Sequence, residues 1–159
     1  MAVTVEKDWT KVNVESIIPH RKPFLFIDYI AHCQPGESIS AVFYVNPALP
    51  VFDGHFPDNP IFPGVLQIEA IAQATALTIM MKPEFSNLQP ILRAINDAKF
   101  KKPIKPRDCL MIDVFNIEIQ QRHGKVSGRA QGDIVVNEEY VALSADIVFI
   151  GMPKESSGQ

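Results

Sequence analysis

The chain has 159 residues, of which 47% are apolar, and its formal net charge is −3 at pH 7. This length and apolar content suffice for one sizeable core, so we predict a single domain over residues 1–150 and a short polar tail over residues 151–159. The charge balance is not the strongly basic one of a nucleic-acid-binding protein, and we expect no nucleic-acid partner.

The positions of the charged residues and of the cysteines indicate the cellular compartment of the protein. Charges interrupt every apolar run in the first thirty residues, so we expect no signal peptide. Cys33 and Cys109 lie far apart and outside any Cys-x-x-Cys or Cys/His cluster, which predicts neither a disulfide framework nor a metal site. Both observations favour a cytoplasmic protein.

The first predicted elements are one short helix and two strands. The stretch VNVESIIP favours a helix that ends before Pro19, because proline cannot continue the hydrogen-bond ladder. FLFIDYI, residues 24–30, and SISAVFYV, residues 38–45, have strand composition. In the second stretch, Ile39 and Ala41 begin an apolar alternation with the two-residue period of a strand.

A long loop leads from these strands into one apolar helix. Residues 46–63 contain five prolines and are unsuited to regular structure. Val65–Met81 is the longest apolar stretch, yet it includes Gln67, Glu69 and Gln73 and falls short of the roughly 20 residues of a membrane span. We therefore predict a buried helix and no membrane partner.

Four later stretches have the length and composition of strands: ILRAINDAKF, CLMIDVFNIEIQ, KVSGRAQGDIVV and EYVALSADIVFI. The turn signals KPIKPRD, RHG and VNEE separate them, and successive strands with short connections favour an antiparallel meander. The final PKESSGQ is small and polar, so we predict that it is disordered. One apolar helix with an antiparallel sheet to bury it predicts the α+β class.

Glu69 is the only acidic residue of the predicted helix, and it lies on an apolar face with Val65, Ala72 and Gln73. An isolated ionised carboxylate is costly to bury, so Glu69 has a partner, is held in its neutral form, or faces a cleft. Gln73 lies one turn further on, where its amide can hydrogen-bond the carboxyl. The alternative is a salt bridge at a surface or interface, with no catalytic role.

His55 lies in the proline-rich loop, directly before Phe56. A histidine imidazole titrates near neutral pH, so it can act as a general base once a polar partner fixes its tautomer. Loops that a rigid scaffold positions often carry function. The alternative is an ordinary, half-buried loop histidine.

Pro63 and Gly64 begin the helix. Proline suits a helix N-terminus, glycine allows close approach to the backbone, and the unpaired N–H groups of a first turn suit an oxyanion. Glu69 follows about 7.5 Å further along the axis, at 1.5 Å per residue. A base, an acid and an oxyanion donor in one stretch can remove a proton beside a carbonyl and expel a hydroxyl group as water.

Four motifs resemble, in order and spacing, those of the (3R)-hydroxyacyl-acyl-carrier-protein dehydratases of fatty-acid synthesis. They are PHRKPFLFID at 19–28, GHFPDNPIFPGV at 54–65, IEAIAQ at 68–73 and INDAKFKKPIKPRD at 95–108. The likeness runs from about Val14 to Ile150. It implies the hotdog fold, in which an antiparallel β-sheet wraps a long central helix, and we expect neither a cofactor nor a metal.

The resemblance also implies roles for individual residues. His55 is the catalytic base, Glu69 is the acid, and the Gly64 N–H donates to the thioester carbonyl. Gln73 orients Glu69. A glutamate rather than an aspartate at position 69 favours the simple dehydratase over a sister branch that also isomerises the double bond.

Substrate and partners follow from the same resemblance. The substrate is an acyl chain on the phosphopantetheine arm of an acyl carrier protein, and we expect Phe56, Pro63 and Val65 to contact it. The histidine and glutamate of one site come from the two chains of a homodimer. Three dimers often form a hexamer in this family.

A local basic cluster, which we call the basic rim, consists of Lys99, Lys101, Lys102, Lys105 and Arg107. A basic rim near the substrate tunnel would steer an acidic carrier protein, whereas an ordinary solvated face is the alternative. Arg107 also stands where the turn of the family usually has glycine.

His20, Arg21 and Phe24 lie in the first motif, and we expect them to have a structural role at the start of the first strand. Two other functions stay open for the whole chain. A hotdog acyl thioesterase would direct its acid at water, and a non-catalytic acyl-thioester binding module would keep the tunnel without turnover.

Overall fold

The computed structural model describes residues 6–154, and this part of the chain contains one α-helix and six strands. In chain order they are β1 (Tyr29–Gln34), β2 (Ser38–Tyr44), α1 (Gly64–Met80), β3 (Leu88–Phe100), β4 (Cys109–Arg122), β5 (Lys125–Val136) and β6 (Tyr140–Pro153). The predicted short helix near Pro19 is a 3₁₀ turn, Val14–Ser16. β6 includes residues 151–153 of the predicted tail, and residues 155–159 lie outside the described part.

The six strands form one antiparallel sheet in the order β1-β2-β4-β5-β6-β3. The prediction of a four-strand meander is wrong for β3, which pairs with β6 rather than with β4. β4 already has β2 and β5 as its two hydrogen-bonded neighbours, so β3 cannot pair with β4 and lies instead on the outer side of β6. β3 is consequently an edge strand.

The stretch FLFIDYI is mostly not a strand, because β1 begins only at Tyr29. Leu25, Phe26 and Ile27 are all buried, with 7%, 2% and 2% of their surface exposed. These residues have no partner in the β1–β2 register, which begins with the pair Tyr29 and Val42. The apolar composition of this stretch reflects packing in the core instead.

α1 lies across the sheet and is buried along most of its length, which confirms the predicted helix and the α+β hotdog fold. Gly132 of β5 lets the helix approach the sheet closely, because a Cβ atom at this position would lie 2.6 Å from Ile71. Thr75 and Thr78 are buried, and their hydroxyls donate to the carbonyls of Ile71 and Gln34. No helix within residues 6–154 is long and apolar enough to cross a membrane.

Large apolar side chains stay exposed on the edge strand β3 and around the start of α1. On the edge strand β3, Ile95 is 47% exposed and Phe100 is 51% exposed. Val65, in the first turn of α1, is 76% exposed, and Phe56 of the preceding loop is 48% exposed. We call these four residues, with Ile91 and Leu92, the open apolar set. An edge strand with exposed apolar side chains is the kind of surface that pairs with another chain.

Candidate active site

Glu69 and Gln73 form the centre of the site on α1. The Gln73 Nε2 donates to Glu69 Oε1 at 3.0 Å, which confirms the hydrogen bond predicted from their spacing. Gln73 also donates to the Phe24 carbonyl at 2.9 Å, and its own Oε1 accepts the Phe26 N–H at 2.8 Å. Because the Phe26 N–H can only donate, the amide of Gln73 has one possible orientation, with its NH₂ group toward Glu69.

The Glu69 side chain is 21% exposed, so it is neither solvated freely nor fully enclosed. The imidazole ring of His20 contacts the Glu69 carboxylate, because His20 Nε2 lies 3.4 Å from Glu69 Oε1. Among residues 6–154, no ring nitrogen of His55 lies within 4.0 Å of this carboxylate. We expected Glu69 to have a partner, to be held neutral, or to face a cleft. In the structure its carboxyl has polar partners and stays partly accessible to solvent.

The contact between His20 and Glu69 goes beyond the structural role that we expected for His20 at the start of the first strand. The structural role does hold for Arg21, whose guanidinium donates to the carbonyls of Glu15, Ile18 and His20. This clamp holds the backbone on both sides of His20. No local pattern could reveal the contact with Glu69, because only the tertiary fold joins the two segments.

His55 is held at the end of the 3₁₀ turn Pro50–Asp53, and its ring orientation is defined by hydrogen bonds. Its Nδ1 lies 2.8 Å from the Ile61 carbonyl oxygen, while the Ile61 N–H donates to the His55 carbonyl at 3.1 Å. A carbonyl can only accept, so Nδ1 carries the proton of the neutral ring and Nε2 presents a lone pair. The Phe56 ring stacks on the imidazole with a centroid distance of 4.1 Å. This is the tautomer that a general base acting through Nε2 requires.

Gly64 begins α1 after the N-cap residue Pro63, which offers no side-chain hydrogen bond to the first turn. The edge of the Phe100 ring lies over Gly64, and a Cβ atom there would be 2.8 Å from it. Glycine therefore lets an aromatic side chain lie directly against the helix start, beside N–H groups suited to an anionic oxygen.

The three residues predicted to contact substrate lie around this helix start, but they differ in exposure. Phe56 and Val65 belong to the open apolar set, whereas Pro63 is buried. The Phe62 N–H donates to the Ile104 carbonyl at 2.8 Å, which ties the helix start to the segment between β3 and β4. That segment carries most of the basic rim.

All five residues of the basic rim are exposed. Lys99 lies 3.8 Å from Asp97, Lys101 donates to Ser144 Oγ, and the Lys102 ammonium lies 4.3 Å from the centre of the Tyr140 ring. Lys105 and Arg107 belong to the turn before β4, where Arg107 has a φ of +76°. This left-handed conformation explains why glycine suits the same position in the family.

Comparisons with known proteins found similar sequences and similar structures. A family model described as a FabA-like domain matches residues 18–145. The chain is 45% identical to the 3-hydroxyacyl-acyl-carrier-protein dehydratase FabZ of Symbiobacterium thermophilum over 114 residues, which are 72% of this chain and 80% of that protein.

Two solved structures resemble the fold at low sequence identity. The dehydratase heterocomplex ApeI:P from Xenorhabdus doucetiae has 20% identity and a TM-score of 0.52, with 76% of this chain and 95% of that chain covered. A hypothetical thioesterase with coenzyme A from Streptococcus pneumoniae TIGR4 has 13% identity and a TM-score of 0.56, with 89% and 93% covered. At such identities the likeness shows the fold alone.

Proposed function

The chain belongs to the FabA-like family, and from this membership we propose that it eliminates water from 3-hydroxyacyl thioesters of acyl carrier protein to give trans-2-enoyl thioesters in fatty-acid biosynthesis. The curated FabZ relatives carry this activity in their name. The observation within the chain that best supports the proposal is the tautomer of His55, since its hydrogen bond to Ile61 leaves Nε2 free to accept a proton.

In the proposed reaction, His55 Nε2 accepts the C2 proton of the substrate. The electrons of the broken C2–H bond form the C2=C3 double bond, and the C3–O bond breaks. Glu69 donates its proton to the departing hydroxyl group, which leaves as water. His55 then gives up its proton and Glu69 regains one, so the enzyme returns to its starting state.

The start of α1 is proposed to stabilise the charge that develops on the thioester oxygen. The N-cap residue offers no acceptor to the Gly64 N–H, because the side chain of Pro63 has no polar atom. An oxygen with partial negative charge is a favourable acceptor for a first-turn N–H. Gln73 supports Glu69 through the hydrogen bond to Oε1.

We propose that each active site combines His55 of one chain with Glu69 of a second chain in a homodimer. Two observations support this arrangement. Within residues 6–154, no ring nitrogen of His55 lies within 4.0 Å of the Glu69 carboxylate. The open apolar set also surrounds the helix start and follows the free edge of β3, where a second copy would cover it. Assembly of dimers into a hexamer remains a prediction.

A cytoplasmic location is part of the same proposal. Both cysteines are free, with Cys33 buried and Cys109 exposed. Burial raises the pKa of the Cys33 thiol, which keeps it protonated and unreactive. Free thiols suit a reducing compartment, where acyl carrier protein would also be the expected partner.

The purified protein with 3-hydroxybutyryl acyl carrier protein tests the reaction. We expect an enoyl thioester, detected by its absorbance and by mass spectrometry, with no release of free thiol. Free thiol without an enoyl product would instead identify a thioesterase, and binding with neither product would identify an acyl-thioester binding module. Substrates of graded chain length then report the preferred acyl length.

The basic rim predicts selectivity for a substrate on an acidic carrier protein. Reversing the charge of Lys101 and Lys105 to glutamate is expected to raise KM for the carrier-protein substrate by about tenfold, because complementary charges speed encounter. KM for the corresponding N-acetylcysteamine thioester should stay within about twofold, since that substrate has no acidic protein surface. Lys125→Glu, at the start of β5, is the matched control. An equal effect on both substrates would contradict a docking role.

A further inference from the structure

One hydrogen-bond donor and one ring nitrogen approach the same oxygen of Glu69. Gln73 Nε2 donates to Oε1 at 3.0 Å, and His20 Nε2 lies 3.4 Å from the same atom. Among the contacts of residues 6–154, no hydrogen bond reaches Glu69 Oε2. The two oxygens of this carboxyl therefore have different surroundings. The single proton that Glu69 transfers in the proposed reaction can lie on either oxygen.

The other ring nitrogen of His20 defines its tautomer. His20 Nδ1 is buried and has no hydrogen-bond partner in the described chain. A proton on Nδ1 would leave a buried N–H group without an acceptor, which is costly. A proton on Nε2 instead lies on the ring nitrogen that is 3.4 Å from Glu69 Oε1, and it leaves only a lone pair unpaired on Nδ1. Of the two neutral tautomers, the one with its proton on Nε2 is thus favoured.

A neutral carboxylic acid has one oxygen that accepts and one that carries the proton. Gln73 cannot accept through its NH₂ group, and its orientation is locked by Phe26 and Phe24. Because Gln73 donates to Oε1 and His20 Nε2 lies beside the same atom, Oε1 is the accepting oxygen, and the acidic proton has its place on Oε2. No hydrogen bond within residues 6–154 reaches Oε2, so its proton is available to a substrate.

We propose that His20 is a positioning residue that keeps the transferable proton of Glu69 on Oε2, facing the hydroxyl group of the substrate. This inference rests on the proposed dehydratase function, in which Glu69 is the acid. His20 acts through Glu69 and does not itself exchange a proton with substrate. The Arg21 clamp on the neighbouring carbonyls fixes the backbone that carries the imidazole.

The test compares His20→Leu, which removes the donor, with His20→Gln, whose side-chain Nε2 can replace it. We expect His20→Leu to lower kcat for dehydration by about tenfold while KM changes less than about twofold, since the polar contact with the acid is lost. His20→Gln should recover most of kcat. His32→Leu removes an exposed histidine of β1 and is the matched control for the loss of an imidazole.

A double-mutant cycle with Glu69→Gln separates positioning from general support of the fold. If His20 acts through Glu69, His20→Leu has no further effect on kcat in the Glu69→Gln background. The proposal is overturned if the two losses multiply, if KM rises while kcat is unchanged, or if His20→Leu retains full activity. Absence of dehydration by the wild-type protein would instead overturn the proposed function, and this inference with it.

A measurement on the unaltered protein covers the case in which His20→Leu does not fold. Nitrogen-15 NMR of labelled histidine distinguishes the two neutral tautomers, and assignment uses the His20→Gln spectrum. We expect His20 to carry its proton on Nε2 and His55 to carry its proton on Nδ1. A proton on Nδ1 of His20 would contradict the proposal.

Discussion

Replacing His55 by asparagine lowers kcat/KM for dehydration by about 10²- to 10⁴-fold, the range typical for loss of a general base. Asparagine keeps a side-chain N–H that can donate to the Ile61 carbonyl, as His55 Nδ1 does over 2.8 Å. It has no second ring nitrogen to accept the C2 proton. The loop should therefore stay folded while the chemistry is lost, as steady-state kinetics and thermal unfolding together would show.

Two variants make this result specific. His55→Ala removes the same base together with the hydrogen bond to Ile61, so it should have equally low activity and about 1 kcal/mol less stability. His32→Asn changes an exposed histidine away from the site and should retain full activity. Hydration of a crotonyl thioester at the wild-type rate by His55→Asn would exclude His55 as the base.

Mixing an inactive His55→Asn chain with an inactive Glu69→Gln chain restores about one quarter of the wild-type activity. If each site takes His55 from one chain and Glu69 from the other, a mixed dimer contains one intact site and one site with both changes. Random assortment makes half of all dimers mixed, and each of these has half its sites intact. From nearly inactive parents, this is a large gain.

The mixing experiment needs proof that chains have exchanged. Co-expression of the two variants with different affinity tags, followed by purification on both tags, isolates mixed dimers directly. These should have about half of the wild-type activity per dimer. As a control, each variant is co-expressed with a differently tagged copy of itself and purified on both tags. Mixed dimers as inactive as their parents would show that the two residues do not meet across chains.

Ile95 and Phe100 explain why this second prediction is physically reasonable. Both are large apolar side chains on the edge strand, and about half of each is exposed in one chain, 47% and 51%. Burial of apolar surface is favourable by roughly 25 cal/mol per Å². A second copy that covered them would also cover the start of α1, where Phe100 contacts Gly64.

Local features of the chain were predictable from the amino-acid sequence. The apolar run and its Pro-Gly start predicted α1 to within one residue at each end, and the spacing of Glu69 and Gln73 predicted their hydrogen bond. β5 has the predicted bounds, Lys125–Val136, between two turn signals. These features depend on backbone periodicity and neighbouring residues, which sequence alone determines.

Only the tertiary structure decided which distant segments meet. The partner of β3 depended on which strand edge stayed free once β2 had paired with β4, and no pattern within β3 encodes that choice. The contact between His20 and Glu69 likewise joins segments that are far apart in the chain. Such contacts follow from the packing of the whole sheet around α1, because long-range pairing is set by collective burial rather than by local conformation.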